Sequence, residues 1–180
     1  KDELKITWKS FQLDPTLKTD ASARTLDYFV KTKGVSVEQA RQMFSGATKM
    51  AREAGIDFNL EESIPANSFM AHRLIQLAKS KNLGNEIEEA LFKAHFTEAR
   101  NIDDPEVLLE VAGSIGMDTE EVKQTLESDA FAYEVKQDEM EARNIGVRGV
   151  PFFVFDDKYA VSGAQPTEAF LQTLEKAMNN

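Results

Sequence analysis

The chain has 180 residues, 42% of them hydrophobic, no cysteine, and a net charge of −10 from 31 acidic and 21 basic side chains. That length suits one domain, or one domain carrying a sizeable insertion. The acidic balance argues against non-specific binding to nucleic acid or to an anionic membrane and favours a cytosolic setting. Zero cysteines exclude a disulfide framework and any Cys-based metal site within these residues, and two histidines, His72 and His95, are too few for a His-rich one. No apolar run approaches the ~18–20 residues of a membrane span. The charged start at Lys1-Asp2-Glu3 leads to no expectation of a secretory signal.

Leu4 to Leu13 alternates strictly. Leu4, Ile6, Trp8 and Ser10 share one face; Lys5, Thr7, Lys9 and Phe11 share the other. Period two, β-branched and aromatic residues, and a closing Asp14-Pro15 predict a strand. Ser36-Val37-Glu38-Gln39 has the form of a capping box. Ala40, Met43, Phe44, Ala47, Met50 and Ala51 then recur at helical spacing, and Gly55 is placed to stop the helix.

After Ile64-Pro65 a second helix is expected from about Asn67 to Lys81, with Ala71, Leu74, Ile75 and Ala78 inward and Gly84 as terminator. A third follows from Asn85, with Ile87, Ala90, Leu91 and Ala94 on one side. Glu86, Glu88, Glu89 and Glu98 read as its solvated face. Asp104-Pro105 opens a fourth, carrying Leu108, Leu109, Ala112 and Ile115 and closed by Gly116. Asp118 starts a short fifth, and a sixth runs from about Asp129 to Ile145 and stops at Gly146.

The pattern then switches. Phe152 to Phe155 and Tyr159 to Ser162 predict a hairpin about a turn at Asp156-Asp157-Lys158. Gly163-Ala164-Gln165-Pro166 leads into a last helix with Phe170, Leu171, Leu174 and Met178 on its apolar face. Helices segregated between two β segments predict an α/β domain with an all-helical insertion. No glycine-rich phosphate loop, nucleophile elbow or His-Glu-x-x-His is present.

Four stretches resemble one family. They are Asn67-Ser68-Phe69-Met70-Ala71-His72-Arg73; Leu91-Phe92-Lys93-Ala94-His95-Phe96; Arg100-Asn101-Ile102 with Asp104-Pro105-Glu106-Val107-Leu108; and Gly146 to Phe155 followed by Val161-Ser162-Gly163-Ala164-Gln165-Pro166. Together they resemble the DsbA family of thioredoxin-fold oxidoreductases, and more closely its FrnE-like subgroup of polyketide-associated dithiol–disulfide isomerases. The resemblance implies a thioredoxin-like domain from residues 1–33 and 146–180, with 34–145 as a helical insertion. It also implies a strand and a helix bearing Cys-x-x-Cys ahead of Leu4, and this chain shows neither. The expectation is that Lys1 is not the true N-terminus, or that a partner chain supplies these elements. A sheet that closes on these residues alone would refute it.

The resemblance implies thiol–disulfide exchange, with the nucleophile outside these residues. Val150 and Pro151, joined by a cis bond, with Gly149 and Arg148, would align an extended substrate by strand addition. The residues alone also allow a plain proline at the start of a strand. Arg148 either steers an acidic substrate or stabilises a thiolate, or is a solvated surface arginine. Asn67, His72 and Gln165 are candidate cleft residues whose simpler readings are a helix cap, a structural histidine and turn chemistry. Arg73 lies on the same helix, His95 reads as packing, and the phenylalanines at 92, 96, 152, 153 and 155 read as core or as an apolar cleft. No metal and no resident cofactor beyond a dithiol is expected; glutathione is the possible co-substrate. The expected partner is a thiol- or disulfide-bearing protein or small molecule, with no nucleic acid and no membrane. Two alternatives stay open: a glutathione-dependent isomerase or transferase on the same fold, resembling 2-hydroxychromene-2-carboxylate isomerase or the kappa class, and a redox-inactive binding module.

Overall fold

A computed structural model describes residues 4–179. Eight α-helices, one π-helical turn and one hairpin are present among them. Helix α1 (Thr25–Lys33) and helix α2 (Val37–Glu53) pack on each other through an edge-on Phe29–Phe44 pair. The sequence reading missed α1. It has no side-chain cap and buries no residue, so the two strongest local signals are absent. For α2 the capping box forms as expected: Gln39 N–H donates to the Ser36 hydroxyl and Gln39 Oε1 accepts from Ser36 N–H. Only Ala40 and Phe44 of its apolar set are buried; Met43 and Met50 are exposed.

The core lies in the next four helices: α3 (Phe69–Ser80), α4 (Gly84–Phe92), α5 (Pro105–Ser114) and α6 (Thr119–Glu127). Leu74, Ile87, Leu108 and Val122 are fully buried at its centre. Burying each such side chain contributes roughly 1.5–3 kcal/mol. Gly84 begins α4 and does not terminate α3; Asn82, with φ 61°, makes the turn instead. This works because Asn tolerates the left-handed region. Helix α7 (Ala132–Asn144) starts three residues later than expected, after Phe131 takes φ 62°. Arg73 is buried in α3 and donates to the carbonyls of Thr125, Leu126, Ser128 and Ala130. It thereby caps the C-terminal end of α6, where carbonyls lack helical partners.

Strands β1 (Phe152–Phe155) and β2 (Tyr159–Ser162) form an antiparallel pair in the register Phe152↔Ser162 to Phe155↔Tyr159. Asp156 and Asp157 have φ of 50° and 53° at the turn, a geometry Asp accepts and tight hairpins require. Helix α8 (Thr167–Met178) packs on this hairpin, with Phe170 edge-on to Phe153 at 4.8 Å. None of the residues of α8 is buried. No helix among the described residues is long and apolar enough to cross a membrane.

The expected strand at Leu4–Leu13 is a correction. These residues form no ladder, and the sheet among the described residues has two strands only. Strand alternation needs a neighbouring backbone before it becomes a sheet, and here the segment is a strap laid over α3, α4 and α7. Leu4 and Ile6 are both 67% exposed while Ser10 is buried, so only the second half of the face read from the sequence is covered.

Candidate functional site

The loop from Gly146 to Pro151 is built by the end of α7. Gly146 takes φ 81° and its N–H donates to Arg143 O, while Val147 N–H donates to Ala142 O. A left-handed residue at that point satisfies the last helical carbonyls and turns the chain away. Arg148 is exposed and makes no ion pair or hydrogen bond among the described residues. Gly149 meets no atom within 4 Å of where a Cβ would stand, so space alone does not demand glycine there. The Val150–Pro151 peptide is cis. Val150 is 49% exposed, and neither its N–H nor its carbonyl takes a backbone bond among the described residues. Pro151 O accepts from Gly163 N–H at 2.8 Å, which ties the loop to the far end of β2. Among the described residues β1 pairs only with β2.

The other candidates lie apart from this loop in the bonding pattern. Gln165 donates from Nε2 to Ser162 O, closing the turn into α8. Asn67 sits at the start of α3. Its Oδ1 accepts from Phe69 N–H and from Gln12 Nε2, and its Nδ2 donates to Leu17 O. His72 is largely buried beneath Phe11 of the strap, and its Nδ1 has no partner among the described residues. His95 packs edge-on against Phe96, with ring centroids 4.5 Å apart. Two concavities, of about 380 and 230 Å³, include no residue of the 146–155 loop.

Burial pushes the His72 pKa down to about 4, against the Phe11 carbonyl and the charge of Asp138, which both favour the cation. A folded-state pKa below the unfolded value means that neutral His72 stabilises the fold above about pH 6.5. That contribution is lost as pH falls through about 4. His72→Gln is expected to remove this acid limb from a stability–pH profile measured by urea denaturation; an unchanged profile counts against it.

A polar cluster that sequence reasoning missed clasps the strap. Asp138 of α7 accepts from Ser10 N–H at 2.9 Å, Gln76 Nε2 at 2.6 Å and Lys9 Nζ at 3.0 Å. Ser10 and Asp138 are both buried. Lys79 donates to Trp8 O, and Trp8 Nε1 donates to Asn85 Oδ1 at 2.7 Å. No sequence signal marks Asp138, because it is one acid among several on an acid-rich helix.

Known proteins match this arrangement. The profile of the DSBA-like thioredoxin domain covers residues 1–175. The crystal structure of a probable DsbA oxidoreductase from Streptomyces coelicolor superposes with a TM-score of 0.89 at 35% identity, covering 96% of this chain and 74% of that one. The uncharacterized protein YwbO of Bacillus subtilis is 28% identical over 133 residues, which are 73% of this chain and 64% of that protein. The chain therefore spans less than two thirds of the length of that curated relative. With its helix-rich α/β architecture and small sheet, the chain belongs to the DSBA-like thioredoxin domain family.

Proposed function

We propose that these residues form the substrate-aligning part of a thiol–disulfide oxidoreductase or isomerase of the FrnE-like kind, acting in the cytosol. Residues 1–33 and 146–180 would be its thioredoxin-like part and 34–145 its helical insertion. The observation that carries this reading is the cis Val150–Pro151 loop, where Val150 is exposed with its backbone groups unpaired among the described residues, in a chain whose family membership spans nearly its whole length. The name of the 35% identical Streptomyces protein, a probable DsbA oxidoreductase, supports the same activity.

In this reading the dithiol comes from outside these 180 residues, which hold no cysteine. A thiolate attacks one sulfur of the substrate disulfide, and the other sulfur leaves as a thiolate. The second thiol of the pair, once deprotonated, attacks the mixed disulfide, releases the reduced substrate and closes the protein disulfide. The residues of this chain act on alignment. The Val150 N–H and carbonyl pair with an extended substrate as an added strand, Gly149 and Pro151 shape the approach, and Arg148 adds one positive charge at the rim.

Insulin disulfide reduction by the intact, dithiol-bearing protein tests the reading. Turnover above the uncatalysed rate supports it; none, from a protein with both cysteines, leaves a binding module. Arg148→Glu is expected to lower kcat/KM for acidic peptide disulfides by roughly tenfold at low salt, with little change in kcat, because a rim charge acts mainly on association. An equal loss for basic peptides would assign Arg148 no role in charge selection.

A further inference from the structure

A concavity of about 230 Å³ lies between the loop that follows the strap and helix α1. Its floor is half-buried and largely apolar: Leu17, Ala23, Tyr28 and Pro65. Its rim is exposed and charged, with Lys18 and Asp20 on the loop and Asp27 and Lys31 on α1. Asp27 and Lys31 stand four residues apart and so share one helix face. An apolar floor beneath a few convergent polar groups is the usual form of a small-molecule site.

The walls are fastened before any ligand arrives. Asn67, a candidate from the sequence, holds the loop: its Nδ2 donates to Leu17 O at 2.9 Å and its N–H donates to Thr19 Oγ1 at 2.8 Å. Thr19 in turn donates to Asp103. Leu17 N–H closes onto Asp14 O, and Ala23 N–H onto Asp20 O. Thr25 N–H, at the start of α1, donates to Ser63 O just ahead of Pro65. Little ordering of the backbone remains to be done on binding, which favours affinity. The rim charges, by contrast, are not engaged. The side chains of Lys18, Asp27, Tyr28 and Lys31 make no hydrogen bond or ion pair among the described residues. Asp20 Oδ1 accepts from the Ser22 hydroxyl and N–H, which hold its carboxyl below the usual range, and its Oδ2 is left open.

We propose that this concavity binds a free α-amino acid with an apolar side chain. The carboxylate is taken by Lys18 and Lys31, the ammonium by Asp20 and Asp27, and the side chain lies on the floor. The pattern of signs selects this class. Each wall carries one cation and one anion, so a ligand with a single charge meets repulsion beside attraction. A zwitterion answers both signs on both walls. The volume of about 230 Å³ falls below the ~300–1,000 Å³ of sites for drug-sized ligands, and suits one amino acid rather than a nucleotide or a peptide. The proposal does not depend on the thiol–disulfide reading, since no residue of the 146–155 loop lines this site.

Calorimetric titration of the intact protein with L-phenylalanine at low salt tests it. Saturable binding with a Kd on the order of 1 mM is expected for so small and open a site. The analogue 3-phenylpropionate lacks the ammonium, and phenethylamine lacks the carboxylate. Each is expected to bind about fivefold more weakly, the effect of losing exposed ion pairs. Lys31→Glu is expected to weaken L-phenylalanine by about the same factor and to place phenethylamine ahead of 3-phenylpropionate. No saturation by about 20 mM L-phenylalanine overturns the proposal. Analogues that bind as well as the amino acid do the same. So does a Lys31→Glu protein with native far-UV circular dichroism and native affinity, because the binding then lies elsewhere. If Lys31→Glu fails to fold, Lys18→Glu on the loop is read in the same way.

Discussion

Arg73→Ala is expected to destabilise the fold by about 3 kcal/mol, read as a lowered urea midpoint with an unchanged slope. Four carbonyls at the end of α6 and in the turn to α7 now accept from this one guanidinium. Thr125 O keeps the Ser128 hydroxyl, so the orphaned acceptors are Leu126, Ser128 and Ala130. Each unsatisfied buried polar group costs about 1–3 kcal/mol, and those near solvent recover part of it through water. The packing of the side-chain stem is lost as well, since Arg73 is 5% exposed. Arg73→Lys is expected to recover less than half of the loss, because an ammonium lacks the planar fork that serves several acceptors at once. A loss below about 1 kcal/mol would mean that water caps α6 unaided.

Asp138→Ala is expected to cost about 2 kcal/mol and to release the strap. The carboxylate accepts from three donors on two elements, Lys9 and Ser10 on the strap and Gln76 on α3. Ser10 N–H is buried, so losing its acceptor leaves an orphaned donor. Hydrogen exchange at Ser10 should accelerate far more than exchange in the Leu74–Leu108 core. Asp138→Asn is expected to recover little. Every partner donates, so a carboxamide turns its own N–H group against at least one of them. Burial works to raise the Asp138 pKa, yet the Ser10 amide and Lys9 hold it below the usual carboxylate value. This stabilisation is present above the ordinary carboxylate range near pH 4 and lost as pH falls through the lower folded value. If Ser10 exchange matches the native rate in Asp138→Ala, the clasp does not hold the strap.

Much of the helical part was legible because its signals are local. The capping box at Ser36, the Asp104-Pro105 start and the apolar stripes of α3 and α5 each need only a few neighbouring residues. The hairpin was equally local, with its turn carried by Asp156 and Asp157. Legibility failed where partnership across the chain decides. Alternation from Leu4 to Ser10 reads as a strand, yet alternation specifies only an extended backbone with two faces. Met43 and Met50 have helical spacing, yet spacing names a face and not what covers it.

By itself the sequence determined most of the helices, the hairpin and the family, because periodicity, capping and the Gly146–Phe155 loop are written in contiguous residues. Only the tertiary structure decided which polar residues are buried. Glu88, Asp138 and Arg73 are charged residues by composition and structural ones by position. What separates them from their exposed neighbours Glu89, Glu141 and Arg143 is the helix face that meets the strap or the neighbouring helix end. There, desolvation makes each charge depend on the partner it finds.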